Sequence, residues 1–289
     1  MSTTRQRGLT HLESAEARPS GRLWYYSGVG VVGVVLLGGG QLPTSAPQAA
    51  PPAAPQPMGQ AAPAETTASP MDEPIRLIHQ ARQAHQGVHD YTCLLVKRER
   101  VNGVLIPENV MEMKVRTQPF SVYLRWLQPR AEAGQEVCFV AGKNDGMMRV
   151  HPKGVLGVVG FISLDPNDPR ARQTSRRSIT EAGIGGMIER FAKAWEAERP
   201  LNQTQVRIAD YEYNRRRCTR VETIHPTNPE GQFLYYRTVM YFDKETHLPI
   251  RLECYDWPRR QGDPGEMVEV YCFANMRINV GLGDDVFNH

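Results

Sequence analysis

The sequence lacks the short motifs that mark common catalytic and metal-binding sites. It has no Gly-x-Ser-x-Gly nucleophile motif, no His-Glu-x-x-His zinc motif and no Cys-x-x-Cys pair. His85 and His89 are four residues apart, but Gly87 between them favours a helix end over a metal site. These absences argue against an enzyme, and the sequence predicts no catalytic residue, no metal and no cofactor.

An excess of charge of one sign is also missing. The 34 Lys and Arg residues stand against 31 Asp and Glu, which gives a formal net charge of +3. So small a basic excess fits an anionic membrane surface or peptidoglycan as well as nucleic acid, and it identifies none of them. A basic run with Arg170, Arg172, Arg176 and Arg177 could meet lipid phosphates or peptidoglycan carboxylates, although such runs are more often solvated loops. No nucleic-acid partner is predicted.

The amino-terminal part contains one long stretch without charge. Residues 1–22 form a basic region, and residues 23–40 carry no charged side chain. Their length is close to the minimum for crossing a bilayer, and aromatic residues open the stretch where the interface would lie. Arginine before the stretch, and none directly after it, places residues 1–22 in the cytoplasm and the rest of the chain in the periplasm. We expect an uncleaved signal anchor in the inner membrane, while removal as a signal peptide stays open.

A linker separates this stretch from the remainder of the chain. Residues 41–71 are rich in proline and alanine, with Glu65 as their single charge. Such a composition cannot bury enough apolar surface to offset the entropy of ordering, so we expect a disordered tether. The folded domain is then residues 72–289, which are enough for one sizeable core.

Alternation of apolar and polar residues dominates the predicted domain. About ten segments are typical of strands, and short turn sequences such as Asp145-Gly146 join them as antiparallel neighbours. Two segments have helical spacing instead, residues 72–87 and residues 178–200, and Ser178 with Glu181 forms a capping box at the start of the second. The predicted fold class is α+β, a large antiparallel sheet with two helices on one face.

The alternation also predicts which side chains meet between the sheet and the second helix. Residues 120–126 place four apolar side chains on one face of the sheet, and the second helix carries an apolar stripe. We expect these faces to oppose each other across a groove, while the other face of the sheet meets water. The predicted groove residues are Met111, Met113, Phe120, Val122, Leu124, Trp126, Ile184, Ile188, Phe191 and Trp195.

The element order and two loose motifs resemble the LolA/LolB-type lipoprotein-carrier superfamily. The motifs are residues 118–129, QPFSVYLRWLQP, and residues 144–152, which begin Asn-Asp-Gly and end in proline. More closely, YTCLLVKRERVNG, MKVRTQPFSVYLRW, SLDPNDPRA and ITEAGIGGMIER resemble a bacterial family, domain of unknown function 1571. The superfamily resemblance implies an unclosed half-barrel whose apolar concave face, covered by helices, holds acyl chains.

These observations predict a membrane-tethered protein of the cell envelope without catalytic activity. It would bind a lipid, the acyl chains of a lipoprotein or another hydrophobic partner in the groove, as a carrier or a sensor. One alternative is a regulatory or scaffolding module that binds a protein segment in the same groove, and a second is a cell-wall hydrolase. A carrier requires an apolar cavity without paired carboxylates or a histidine dyad, whereas a hydrolase requires two ionisable groups that converge in a cleft.

The five cysteines lie far apart, and all fall inside predicted strands. Buried free thiols and one disulfide are both open interpretations for an exported chain. The last two predicted strands form a hairpin whose turn is centred near Asp263. Because antiparallel pairing keeps the sum of paired residue numbers constant, this centre sets Cys254 opposite Cys272. We expect these two residues to be cross-strand neighbours, and their disulfide is a hypothesis.

Overall fold

The computed structural model describes residues 68–154, 160–228, 230–260 and 262–289. The basic region, the predicted signal anchor and the predicted linker up to residue 67 lie outside the described residues. Within the described ranges, no helix has both the length and the apolar composition needed to cross a bilayer.

The described part of the chain contains three α-helices and twelve strands. The helices are α1 (Asp72–Gln86), α2 (Pro169–Arg172) and α3 (Ile184–Glu198). The strands are β1 (Asp90–Val101), β2 (Val104–Leu105), β3 (Asn109–Arg116), β4 (Ser121–Gln128), β5 (Glu136–Val140), β6 (Met148–His151), β7 (Ile162–Leu164), β8 (Gln205–Tyr213), β9 (Arg216–Ile224), β10 (Arg237–Asp243), β11 (Pro249–Tyr255) and β12 (Met267–Ile278). The two predicted helices and the ten predicted strand segments are confirmed, and the short α2 is additional.

Eleven strands form one antiparallel sheet in the order β7-β6-β5-β4-β3-β1-β12-β11-β10-β9-β8, and the short β2 pairs with β1. Strands β7 and β8 lie at opposite edges, so the sheet is unclosed, as predicted. The β5–β6 connection is the predicted hairpin, since Asn144, Asp145 and Gly146 all have positive φ, at 53°, 54° and 76°. The first and last long strands, β1 and β12, pair at the centre, where they join the two halves of the sheet.

Helix α3 begins later than the capping box predicts. The Ser178 side chain caps a separate 3₁₀ turn, Ile179–Glu181, by accepting a hydrogen bond from the Thr180 N–H. Gly183 then takes a φ of +91°, and the α-helix starts at Ile184. The left-handed residue interrupts the hydrogen-bond ladder, so the 3₁₀ turn and the α-helix are two elements.

The main core lies between the sheet and the two long helices. Helices α1 and α3 pack side by side on one face of the sheet, with Ile78 and Trp195 among their fully buried residues. We call this the concave face. Burial of each large apolar side chain stabilises the fold by about 1.5–3 kcal/mol. The prediction that residues 120–126 and α3 share one layer is confirmed, because their apolar side chains belong to the same core cluster.

The prediction that the opposite face simply meets water is wrong. Two small apolar clusters are buried there, one formed by Tyr123, Cys138, Val140 and Phe287 and one by Cys218, Val239, Tyr241 and Ile250. The first cluster forms because the carboxyl-terminal segment folds back over the sheet. The Asp90 carboxylate holds that segment by accepting backbone hydrogen bonds from Val280, Gly281 and Leu282 at 2.6–3.2 Å.

The predicted register of the β11–β12 hairpin is also wrong, although the hairpin itself is confirmed. Cys254 pairs with Glu269, and Cys272 pairs with Arg251. The register therefore differs by three residues from the prediction, because the connection is not centred at Asp263. An odd shift reverses the face of every side chain, so the two thiols lie on opposite faces of the sheet. All five cysteines are buried and free.

Candidate functional site

A cavity of about 480 Å³ lies between the concave face and the segment from residue 164 to residue 183. This volume falls within the range of about 300–1,000 Å³ that is typical of small-molecule sites. Its apolar wall comes from the strands and from the covering segment. The apolar lining residues include Leu95, Met111, Leu124, Trp126, Val137, Met148, Val150, Leu164, Ile179, Met187 and Phe273.

Only three of the ten predicted groove residues line this cavity, namely Met111, Leu124 and Trp126. The other seven belong to or border the packed core and not the cavity lining: Met113, Phe120, Val122, Ile184, Ile188, Phe191 and Trp195. The physical reason is the position of α1. It packs beside α3 against the sheet and fills the space under most of α3 with side chains. The cavity therefore opens beside the helix pair, under the residues that precede α3.

Glycines fix the position of α3 at the edge of the cavity. A side chain at Gly183 would collide with the Tyr91 hydroxyl, which accepts a hydrogen bond from the Ile184 N–H at 3.0 Å. A Cβ at Gly185 would lie 2.8 Å from the His85 ring of α1. The close approach of α3 to α1 thus accounts for Gly185. The same contacts place Met187, one turn into α3, in the cavity wall.

One end of the cavity is charged. Strands β1 and β12 bring Glu99 directly opposite Glu269, and both side chains are completely buried on the concave face. Four cations surround the two carboxylates. We call these six residues the charged cluster. The cations are Lys97, Arg176, Arg177 and Arg190.

Glu269 lies at the centre of the arginines. Its Oε1 accepts a hydrogen bond from Tyr235 Oη at 2.7 Å and one from Arg177 Nη2 at 3.1 Å. Arg190 Nη2 lies 3.4 Å from the same oxygen, and Arg176 Nε lies 3.3 Å from Oε2. A buried carboxylate requires such partners, because an isolated charge in the interior is very costly.

Glu99 has a separate set of partners. Lys97 Nζ lies 3.1 Å from its Oε2, the Arg176 N–H donates to Oε2 at 3.2 Å, and Tyr271 donates to Oε1. Burial by itself raises the pKa of a carboxyl group. The charge of Lys97 and the hydrogen bond from Tyr271 outweigh this effect, so the pKa of Glu99 lies below its ordinary value. Glu99 is therefore ionised at neutral pH.

The cavity thus differs from the apolar one without paired carboxylates that is expected of a carrier, since Glu99 lines its charged end and lies opposite the carboxylate of Glu269 on the next strand. A general acid needs a raised pKa, which Glu99 does not have, and the oxygens of both groups are occupied by cations and hydroxyls. The arrangement neutralises the two buried carboxylates and makes one end of the cavity polar. It does not resemble a pair of carboxylates poised for hydrolysis.

The sequence reasoning missed the charged cluster, although a signal for it was present. The odd-numbered residues of β1 face the interior. Lys97 and Glu99 continue this series after the apolar residues at 91, 93 and 95. Charged residues at inward positions of a central strand mark a buried polar site. The basic run gave part of the signal, because Arg176 and Arg177 turn inward to the cluster instead of lying in a solvated loop.

The family model for the family described as Protein of unknown function (DUF1571) matches residues 88–289. The chain therefore belongs to this family, as its sequence motifs predicted. Among curated proteins, no match is found.

Solved structures similar to the chain include a LolA superfamily protein, a mycobacterial lipoprotein and a DUF1329 family protein. A LolA superfamily protein from Nitrosomonas europaea is 13% identical, with 74% of this chain and 96% of that chain covered and a TM-score of 0.31. The Mycobacterium tuberculosis lipoprotein LppX is 12% identical, with 73% and 98% covered and a TM-score of 0.42. A DUF1329 family protein from Desulfovibrio piger is 14% identical, with 77% and 98% covered and a TM-score of 0.36.

Proposed function

We propose that this protein binds a lipid, or a lipidated or otherwise hydrophobic partner, in the cavity of the half-barrel. It acts as a carrier or a sensor in the cell envelope and does not catalyse a reaction. The observation that carries this proposal is the cavity of about 480 Å³ with an apolar wall and one charged end. A mostly apolar pocket with a few converging polar groups is the usual form of a small-molecule site.

The shape of the site favours an acyl chain over a folded protein partner. The cavity is covered by α2 and the 3₁₀ turn that precedes α3, and Ala171 and Ile179 of these elements are among its lining residues. A chain of methylene groups gains about 0.8 kcal/mol for each group that it buries against such a wall. A protein segment bound in the same place, as a scaffolding module would bind it, is the competing outcome.

The proposed tether places this site near its ligands. Residues 23–40 would anchor the chain in the inner membrane, and residues 41–71 would hold the domain in the periplasm. If so, the protein should sediment with membranes and resist carbonate extraction, and protease added to spheroplasts should release the domain. Recovery of a soluble mature protein that starts after residue 46 would contradict the uncleaved anchor and leave the cavity unaffected.

Filling the cavity tests the binding proposal. Leu124 lies in the cavity wall on β4, whereas Leu127 of the same strand is 37% exposed. We expect Leu124→Trp to exclude a hydrophobic ligand by occupying its volume. The matched variant Leu127→Trp adds the same side chain outside the cavity and should bind normally.

The measurement is native mass spectrometry of the full-length chain, followed by solvent extraction of any co-purified molecule. Lipid recovered from the unmodified chain and from Leu127→Trp, but not from Leu124→Trp, supports the proposal. Equal recovery from both variants contradicts binding in this cavity. A bound peptide in place of a lipid favours the scaffolding alternative.

A further inference from the structure

We infer that the ligand carries an anionic group, a carboxylate or a phosphate, which the charged end of the cavity holds through Lys97, Arg177 and Arg190. This inference rests on the proposed function, because it names the chemical class of the ligand of the same cavity. Three observations support it: the balance of charge, the unused hydrogen-bond donors, and the position of the cations beside the apolar wall.

The charged cluster contains more positive than negative charge. Its four cations face two carboxylates, Glu99 and Glu269, which leaves two positive charges without a buried counterion. Besides Glu99, two acidic residues of the described ranges line the cavity: Glu132 pairs with Lys153 at 2.5 Å, and Glu181 is exposed. Partly buried cations without a counterion are costly, and an anionic ligand would remove that cost.

The cations also have donors to spare. Lys97 Nζ has three protons, and its partners among the described residues are Glu99 Oε2 and Ser175 Oγ, at 3.1 and 3.2 Å. Arg177 and Arg190 donate through Nη2, and neither Nη1 has a partner among the described residues. Their side chains are 26% and 17% exposed, and both residues line the cavity. Arginine and lysine with free donors recognise carboxylate and phosphate oxygens directly.

The positions along the strands connect this charged end to the apolar wall. On β1, Leu95 and Lys97 are successive inward-facing residues, which places them about 7 Å apart. On β12, Phe273, Tyr271 and Glu269 are likewise successive inward-facing residues, and they lead from the apolar wall to the charged end. A ligand whose anionic group is bonded directly to an alkyl chain would therefore fill both parts at once.

The test compares probes that share a chain and differ in their head group. Decanoate, decyl phosphate and decan-1-ol are titrated calorimetrically into the full-length chain in one buffer, with inorganic phosphate as an anion that has no chain. The variants are Arg190→Gln, which leaves Glu269 paired with Arg177 and Tyr235, and Lys97→Met as a second removal of charge. Lys193→Met, on the exposed side of α3, is the matched control.

We expect at least one anionic probe to bind about tenfold or more tightly than decan-1-ol, because a charge-assisted hydrogen bond is lost with the alcohol. Arg190→Gln and Lys97→Met should reduce this preference, while Lys193→Met keeps it and the binding of the alcohol is unchanged. Decanoate and decyl phosphate distinguish a carboxylate head group from a phosphate.

Each other outcome contradicts a different part of the inference. One such outcome is that the alcohol and both anions bind equally and that Leu124→Trp abolishes the binding of all three. That result would contradict an anionic head group and would still support the proposed function. If inorganic phosphate binds as tightly as decyl phosphate, the site binds a free anion. That result would contradict the inference that the ligand combines an anionic group with an alkyl chain. If no probe binds, both the inference and the proposed function fail for single-chain amphiphiles. Circular dichroism of each variant confirms that a lost signal is not lost folding.

Discussion

The concave face of the sheet is solid under the helix pair and hollow under the segment from residue 164 to residue 183. In the solid part, α1 and α3 together cover the sheet, and Trp195, at 1% exposure, is buried among their contacts. In the hollow part, a short helix and a 3₁₀ turn are the covering helical elements among the described residues, and about 480 Å³ remain open. Two adjacent helices supply enough apolar side chains to reach native packing density, whereas an irregular segment leaves space.

The difference indicates that one part holds the fold together and the other part is available for a ligand. A fully packed core loses stability with each methylene removed, so it tolerates little change. Residues around an existing space can change with a smaller loss. This contrast can be tested from the largest expected effect to the smallest.

The largest effect should follow truncation in the solid part. Trp195→Ala should lower the free energy of unfolding by about 3–5 kcal/mol, because it leaves a cavity in a packed core. Leu124→Ala should cost only about 1 kcal/mol, since the leucine is partly exposed to a space that already exists. Urea unfolding of the full-length chain measures both values. Similar losses for the two variants would mean that the parts are packed alike.

The next effect concerns the charged cluster beside the hollow part. Glu269→Gln should destabilise the protein by about 3 kcal/mol, because it removes the buried carboxylate that three partly buried arginines share. Glu73→Gln provides the control. Glu73 pairs with Arg76 on the exposed side of α1, and its loss should change the free energy of unfolding by less than about 1 kcal/mol. A small effect at Glu269 would mean that water or another group compensates the arginines.

The pH dependence should also come from the charged cluster. The pKa of Glu99 is lowered in the folded state, so the unfolded chain binds its proton first as the pH falls. Its contribution to stability is therefore fully present above the ordinary glutamate pKa of about 4.3 and is lost as the pH falls below that value. Glu99→Gln should flatten the decrease in the free energy of unfolding between about pH 5 and pH 3. An unchanged decrease would assign the acid sensitivity to other carboxylates.

The smallest effect concerns two buried thiols, Cys254 in the solid part and Cys138 in the small cluster on the opposite face of the sheet. Burial raises the pKa of Cys138 to about 11 and raises that of Cys254, in the solid core, well above its ordinary value. Native protein should therefore react slowly with iodoacetamide at pH 8, with Cys138 reacting before Cys254. The denatured, unreduced chain should release five reactive thiols. Three reactive thiols, or a linked peptide pair, would reveal a disulfide that the structure lacks.

Much of the fold follows from the sequence because local patterns encode it. Alternating residues predicted the strands, and the apolar stripe of α3 predicted its position on the sheet. The register of the β11–β12 hairpin was less accessible, since the long connection between the strands does not define its centre. An error of three residues was enough to place Cys254 and Cys272 on the wrong faces.

The candidate site was harder to predict than the fold. Met111, Leu124 and Trp126 were predicted because all three are inward-facing residues on the adjacent strands β3 and β4. Whether an inward side chain meets a helix or a space depends on elements far away in the sequence. The pairing of Glu99 with Glu269 joins residues of the first and last long strands. No local pattern in either strand identifies the other as its partner.

The sequence by itself determined which side chains face inward, because alternation along a strand is a property of the backbone. It also determined membership of the family and the separation of a charge-free amino-terminal stretch from a strand-rich domain. Only the tertiary structure decided where the interior is full and where it is empty. The position of α1 beside α3, and the turning of Arg176 and Arg177 toward Glu269, depend on contacts between distant segments. Packing and charge compensation act through space, so they emerge only when those segments have come together.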